Sequence, residues 1–323
     1  MKIYKFAPIY KHTIWGGNRI ASYKGISNGD KNIGESWEIS AVAGSESIVC
    51  EGSEKGIPIS QLIDRYRAEL VGESVYDRYG SEFPLLVKFI DAAHDLSVQV
   101  HPDDDLARAR HGCRGKSEMW YVLDAAPDTR LYSGLKEQIT PDEYADSVAD
   151  NTIAEKLSRY DVHPGDCFYI PAGRIHSIGS GAFIVEIQET SDITYRIYDF
   201  NRRDSEGNLR QLHTDLAADA IDYTVQDDYR TFYNPVDDVP VTLVDTPKFT
   251  TSLLTITHAN TFNISDVDSF AIIIVCDGEI ELVADNDESR RCTRGETLLI
   301  SAQTRTIQLK PLTATAKVLV SHL

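Results

Sequence analysis

Pro164-Gly-Asp-Cys-Phe-Tyr-Ile-Pro-Ala-Gly-Arg-Ile-His176 reads as a turn, a short apolar strand, a second turn and a histidine where the chain re-enters a sheet. Pro-Gly-Asp has the turn chemistry, Cys-Phe-Tyr-Ile the strand chemistry, and Pro-Ala-Gly re-aims the backbone. The pattern returns 130 residues later as Arg294-Gly-Glu-Thr-Leu-Leu-Ile-Ser-Ala-Gln-Thr-Arg-Thr306, with Gly295 in register with Gly165 and Ile300 with Ile170. Upstream of the second copy, Val275-Cys-Asp-Gly-Glu-Ile-Glu-Leu282 has the character of a hairpin. A repeated unit of this kind predicts a mainly β protein of two β-barrel or jelly-roll units with a few helices. In the second copy Thr306 stands where the first has His176, so the second barrel is expected to be structural and metal-free.

Strand-like runs support this reading: Leu85–Ile90, Leu96–Val100, Trp120–Leu123 and Phe183–Ile187 are rich in β-branched, aromatic and aliphatic residues. Helical patterns are fewer. Ile59 to Leu70 predicts an amphipathic helix, Thr140-Pro-Asp-Glu143 opens another with a cap, Pro at the first position and acids in the first turn, and Leu212 to Ile221 predicts a third. The segment Asn234-Pro-Val-Asp-Asp-Val-Pro240 interrupts both periodicities and is the expected linker, dividing a first domain at 1–235 with helical additions from a second barrel at 236–323.

Working outward from His176, Ser97-Val-Gln-Val-His-Pro-Asp-Asp104 puts Gln99 and His101 two apart, on one face of a strand. Glu118, in Gly115-Lys-Ser-Glu118, and His176 could complete a split metal site from later strands. An amide oxygen, two imidazoles and a carboxylate suit a divalent first-row ion, and one carboxylate with three neutral ligands leaves a net charge of about +1, so the ion remains a Lewis acid.

These motifs, with Lys116-Ser-Glu-Met-Trp-Tyr121, Gln188-Glu-Thr-Ser-Asp-Ile-Thr-Tyr-Arg-Ile-Tyr-Asp-Phe200, Ile14-Trp-Gly-Gly17 and Ile33-Gly-Glu-Ser-Trp-Glu-Ile-Ser40, resemble the type I mannose-6-phosphate isomerases in their short bacterial form. The Pro164–His176 stretch is similar to the second motif of the cupin barrels, and Gln99 stands where the first cupin motif usually carries the first His of His-x-His. The resemblance runs from about Trp15 to His213. It implies a double cupin that interconverts mannose 6-phosphate and fructose 6-phosphate by proton transfer through a cis-enediolate. It further implies one divalent metal ion per chain, zinc by family habit, at Gln99, His101, Glu118 and His176. Glu186 is then the base, with Lys116 or a bound water as the alternatives, Arg196 belongs to the active site, and Ser97 binds phosphate.

The residues themselves agree with those roles. Ile184, Glu186 and Gln188 share a strand face, with Glu189 on the opposite one; Lys116 is two before Glu118, and Ser97 two before Gln99. Lys88, Lys116 and Arg196 flank the ligand positions and are the cations available to reverse an acidic field around a phosphorylated sugar, Lys88 being the further candidate for binding substrate. For Arg196 the competing reading is an ion pair with Asp192 or Asp199. Trp15 and Trp37, beside glycines, read as packing anchors.

Composition sets the outer bounds. The chain has 323 residues, 42% of them hydrophobic, and a net charge of −18 from 50 acidic and 32 basic side chains. This argues against nucleic acid and anionic membranes as partners; the partner that the resemblance implies is a small sugar phosphate, and a monomer or homodimer is the expected assembly. Five widely spaced cysteines without a C-x-x-C pair read as free thiols, and the start of the chain lacks a secretory segment, so the cytoplasm is the expected compartment. Two other classes of function compete. A cupin oxygenase would want iron and leaves Lys116, Arg196 and Glu186 without a task; a non-catalytic sugar-phosphate-binding cupin would be expected to have lost a ligand, and none is lost here.

Overall fold

The computed structural model describes residues 2–26, 31–203, 206–285 and 287–323. Its layers run in one order. Ile9–Gly17, Ile33–Ile39, Leu85–Asp91, Ala182–Glu189, Glu118–Ala125, Cys167–Ile170 and Arg230–Thr231 form a seven-stranded sheet, and Leu157–Asp161, Arg130–Leu135, His176–Ile178, Val98–Val100 and Tyr195–Tyr198 a five-stranded sheet facing it. Ile90, Trp120, Val122, Phe168 and Ile184 from the first meet Leu131 and Ile178 from the second in a shared core. The outer face of the five-stranded sheet is covered by the helices Pro141–Ala149 and Thr214–Ala220, through Tyr144 and Ala217.

A six-stranded and a four-stranded sheet, built from the strands between Val241 and His322, enclose a second core that includes Ile273, Val318, Leu282 and Leu309. Ile3–Lys5 adds an edge strand to the six-stranded sheet, pairing with Thr297–Ile300. Between the barrels, Val87, Phe89, Met119, Val185 and Ile187 pack against Leu253, Phe270, Ile272, Ile274 and Leu319. The seven-stranded sheet is therefore covered on both faces. This explains why Ala182–Glu189 is buried at every position: Ile184 faces the first core, and Phe183, Val185 and Ile187 face the second barrel.

The repeat is visible in backbone hydrogen bonds. Gly165 N–H donates to Val122 O and Val122 N–H to Asp166 O, while Gly295 N–H donates to Val275 O and Val275 N–H to Glu296 O. Both glycines have positive φ, 98° and 85°. Thr306 Oγ1 donates to Asp285 Oδ1 at 3.2 Å. The segment 275–282 is a corner rather than the expected hairpin. Ala271–Asp277 lies in the six-stranded sheet and Glu279–Ala284 in the four-stranded one, because Gly278, at φ 73°, turns the chain against Thr315 with no room for a Cβ.

The predicted helices form with altered bounds. Ile59–Tyr66 ends at Arg67, whose φ of 48° breaks the helix before Ala68–Val71. The Glu69 and Leu70 carbonyls, free at the end of this last turn, accept N–H groups of Gln303 and Ala302. Thr140 caps Pro141–Ala149 in a reciprocal capping box with Glu143. The 234–240 segment is irregular and mostly exposed.

Phe270 is fully buried and its ring lies 4.5 Å from that of Phe83, joining the barrels. Phe270→Ala is expected to lower unfolding free energy by about 3–5 kcal/mol. Chemical denaturation should still show a single transition, because the inter-barrel core belongs to both units.

Candidate metal centre and catalytic pocket

Antiparallel register builds the site as two rows that face one another. Directly opposed residues on neighbouring strands share a face. On the five-stranded sheet Arg196 opposes Gln99, and Gln99 opposes His176. On the seven-stranded sheet Lys88 opposes Glu186 and Glu186 opposes Trp120, with Gln188 opposing Glu118 one step along. His101 follows the end of Val98–Val100, and its backbone carbonyl is fixed by Gly173 N–H, from the turn that leads to His176.

Where the rows meet, ligand atoms of His101, Glu118 and His176 lie within 4.8 Å of one another, all buried. His101 Nδ1 is 2.9 Å from Ile193 O and His176 Nδ1 2.8 Å from Arg174 O. Donation to these carbonyls fixes the tautomer and turns both Nε2 lone pairs inward. His101 Nε2 is then 3.3 Å from Glu118 Oε2, and His176 Nε2 3.3 Å from Glu118 Oε1.

Protonation sharpens this geometry. Burial and the Lys116 charge push His101 down to about 3, and burial lowers His176 as well. Against its own burial, Glu118 is held well below the carboxylate range, above all by the Lys116 charge. Two buried acceptors, His101 Nε2 and Glu118 Oε2, thus face each other with no hydrogen-bond partner, although Lys116 Nζ lies 3.0 Å from Glu118 Oε2. A cation between them satisfies both, so the donor set fits a divalent ion. Gln99 lies at the side of this set: its Nε2 is 3.2 Å from His176 Nε2, and a half turn of the amide would present an oxygen instead.

Beside this centre opens a cavity of about 330 Å3 lined by Ser97, Gln99, Lys88, Lys116, Glu186 and Arg196. Every residue singled out from the sequence for substrate or proton transfer therefore meets one space. Ser97 Oγ donates to Gln99 Oε1 at 3.4 Å. Glu186 is 3% exposed, which excludes a half-solvated surface acid. Burial and the nearby Glu118 charge raise its pKa, while Lys88 Nζ sits 2.8 Å from Oε1. Lys88 stays protonated in spite of its burial because Glu186 and Glu35 face it. Trp120 Nε1 bridges the two carboxylates, 3.0 Å from Glu118 Oε1 and 3.1 Å from Glu186 Oε2.

Arg196 donates to Gln211 O at 2.9 Å, and its buried Nε has no partner. Asp199 pairs instead with Arg202 and Arg210. Polar cavity residues that no sequence signal singled out include Arg210, between the quoted motif ending at Phe200 and His213, Thr13, just before Ile14-Trp-Gly-Gly17, and Glu35, in a segment read as packing. Glu189 does lie on the face opposite Glu186, where it is 5% exposed and engaged by Ser117 N–H and Lys248.

Fold and site together define a double-barrel cupin with a His/Glu/His metal centre beside a cationic pocket. A family model described as phosphomannose isomerase type I, catalytic domain, matches residues 3–153. The chain is 34% identical over 282 residues to the mannose-6-phosphate isomerase ManA of Bacillus subtilis, covering 86% of this chain and 87% of that one. It is 40% identical over 208 residues to the mannose-6-phosphate isomerase of Streptococcus mutans, covering 64% of each. The crystal structure of the Bacillus subtilis mannose 6-phosphate isomerase superposes with a TM-score of 0.88 at 29% identity over the whole of both chains. A zinc-bound mannose 6-phosphate isomerase shares the fold at a TM-score of 0.80 and 16% identity, over 100% of this chain and 99% of that one. The chain belongs to the type I mannose-6-phosphate isomerase family.

A histidine held near 3 in the folded protein against 6.5 when unfolded binds fewer protons folded than unfolded between those values. The His101 contribution to stability is therefore complete above pH 6.5 and is lost as pH falls through the folded value. Metal-free wild type should lose more stability between pH 6.5 and 4 than His101→Gln, read by urea denaturation at each pH. Parallel curves for the two proteins would contradict the neutral, inward-facing imidazole.

Proposed function

We propose that this protein interconverts mannose 6-phosphate and fructose 6-phosphate, with one zinc ion held by Gln99, His101, Glu118 and His176. The observation that carries the reading is the adjacency of two differently tuned carboxylates. Glu118 is ionised between neutral imidazoles, and Glu186, raised by burial, opens on the same cavity. When bound, the ion supplies Lewis acidity to the sugar oxygens that carry the enediolate charge. Moving a proton between C1 and C2 then requires a base, and burial with the nearby Glu118 charge moves Glu186 upward from the carboxylate range, the direction that strengthens it in that role.

In this reading Lys88 orients the Glu186 carboxylate, and Lys116 adds positive charge where the enediolate oxygens develop theirs. Arg196, with an unspent Nε, and Ser97 receive the phosphorylated substrate from the five-stranded sheet side. Residues 1–235, apart from the edge strand Ile3–Lys5 that joins the second barrel's sheet, form the catalytic unit, and the second barrel, 236–323, braces it. The cysteines are free thiols, and among the described residues no helix is long and apolar enough to cross a membrane; we place the enzyme in the cytoplasm.

A coupled assay from mannose 6-phosphate to fructose 6-phosphate tests the proposal. Activity should vanish on chelation and return with zinc, and Glu118→Gln should lose metal and turnover together. Glu186→Gln should keep metal and lower kcat by about 10²–10⁴-fold, the usual worth of a general base. Full activity in Glu186→Gln would move the base elsewhere.

A further inference from the structure

Lys248 belongs to the second barrel, in the turn between the strands Val241–Asp245 and Thr250–Ile256. Its ammonium leaves that barrel and meets two carboxylates of the first: Asp104 Oδ2 at 2.6 Å and Glu189 Oε1 at 2.7 Å. The second oxygen of each carboxylate is also spent. Asp104 Oδ1 accepts Gly115 N–H at 2.9 Å, and Glu189 Oε2 accepts Ser117 N–H at 3.0 Å. The two amides so held flank Lys116, whose own N–H donates to Pro102 O.

The surroundings make this a clamp rather than a loose surface pair. Ser117 Oγ accepts Ala172 N–H at 3.2 Å, and Ser117 O accepts Glu189 N–H at 3.0 Å. Gly115 packs so closely on the chain at Asp103 and Asp104 that an added Cβ would lie 2.6 Å from the backbone. Lys248 is anchored at its root, because its N–H donates to Thr246 Oγ1 and the adjacent Phe249, 1% exposed, sits in the inter-barrel core. One ammonium thus links the segments after His101, before Glu118 and, through Ser117, before His176.

We propose that Lys248 is a positioning residue, through which the second barrel holds the Gly115–Glu118 segment, and with it the Lys116 ammonium and the Glu118 carboxylate, in register with the catalytic pocket. The inference rests on the isomerase reading for its kinetic consequence, while its structural part stands apart from activity. Removing the ammonium leaves Asp104 and Glu189 as neighbouring carboxylates with one common partner lost, and the backbone between Gly115 and Ser117 loosens.

The test compares wild type, Lys248→Met, Asp104→Asn and Lys2→Met, the last removing an ion pair with Asp285 far from the site in sequence and internal to the second barrel's edge. Hydrogen exchange of the metal-free proteins is read on peptides covering residues 115–117 and, as reference, Arg130–Leu135. Kinetics are read on the metal-loaded proteins with bound metal quantified. Lys248→Met should speed exchange at 115–117 about tenfold with the reference peptide unchanged, and lower kcat about tenfold with KM within twofold of wild type. Asp104→Asn should do the same more weakly, and decides the matter if Lys248→Met does not fold; Lys2→Met should move neither readout. Unchanged exchange at 115–117, or kcat within twofold of wild type in folded Lys248→Met, overturns the proposal. A wild type inactive on mannose 6-phosphate would instead remove the isomerase reading, leaving exchange to decide the clamp.

Discussion

A buried carboxylate between two imidazoles that cannot take its proton is the constraint on which the site depends. Donation from each Nδ1 to a backbone carbonyl commits His101 and His176 to present bare Nε2 atoms, and burial keeps them so. Glu118, fully buried and held ionised, faces both. Left alone, this arrangement sets acceptor against acceptor in a low-dielectric interior, a costly state for a folded protein. A divalent ion turns the conflict into coordination, which gives the polar cluster its physical sense.

Such a cluster needs a stiff frame, and the layer order provides one. The seven-stranded sheet lies between two cores, so the strands that carry Glu118 and Glu186 are packed on both faces. Opposed pairs across that sheet set Lys88 against Glu186 and Glu186 against Trp120, and the indole N–H ties the two carboxylates together. The functional row is thus spaced by the ladder itself. The second barrel supports the frame through apolar packing and through Lys248, which reaches back to the ligand-bearing loops.

Much of this was legible in the sequence because period-two alternation and turn chemistry are local signals. Gln99 and His101, two apart, and Ile184, Glu186 and Gln188 could be assigned faces without knowing their neighbours. The Pro164–His176 repeat announced a second barrel, and Gly165 and Gly295 hold equivalent hydrogen bonds. What escaped depends on distant partners. Nothing local marks Arg67 as a helix break, nor Gly278 as a corner between sheets rather than a hairpin turn. Arg210 and Glu35 join the pocket only through tertiary packing, and the partner of Glu189, Lys248, lies in the other barrel.

Anomalous diffraction at the zinc edge, from crystals of the protein grown with equimolar zinc, tests the central claim most directly. The account predicts one strong peak per chain, about 2.0–2.2 Å from His101 Nε2, His176 Nε2 and a Glu118 oxygen, with the Gln99 amide turned to offer its oxygen. A peak at any other cluster, or none at this one with both imidazoles still facing Glu118, would contradict it.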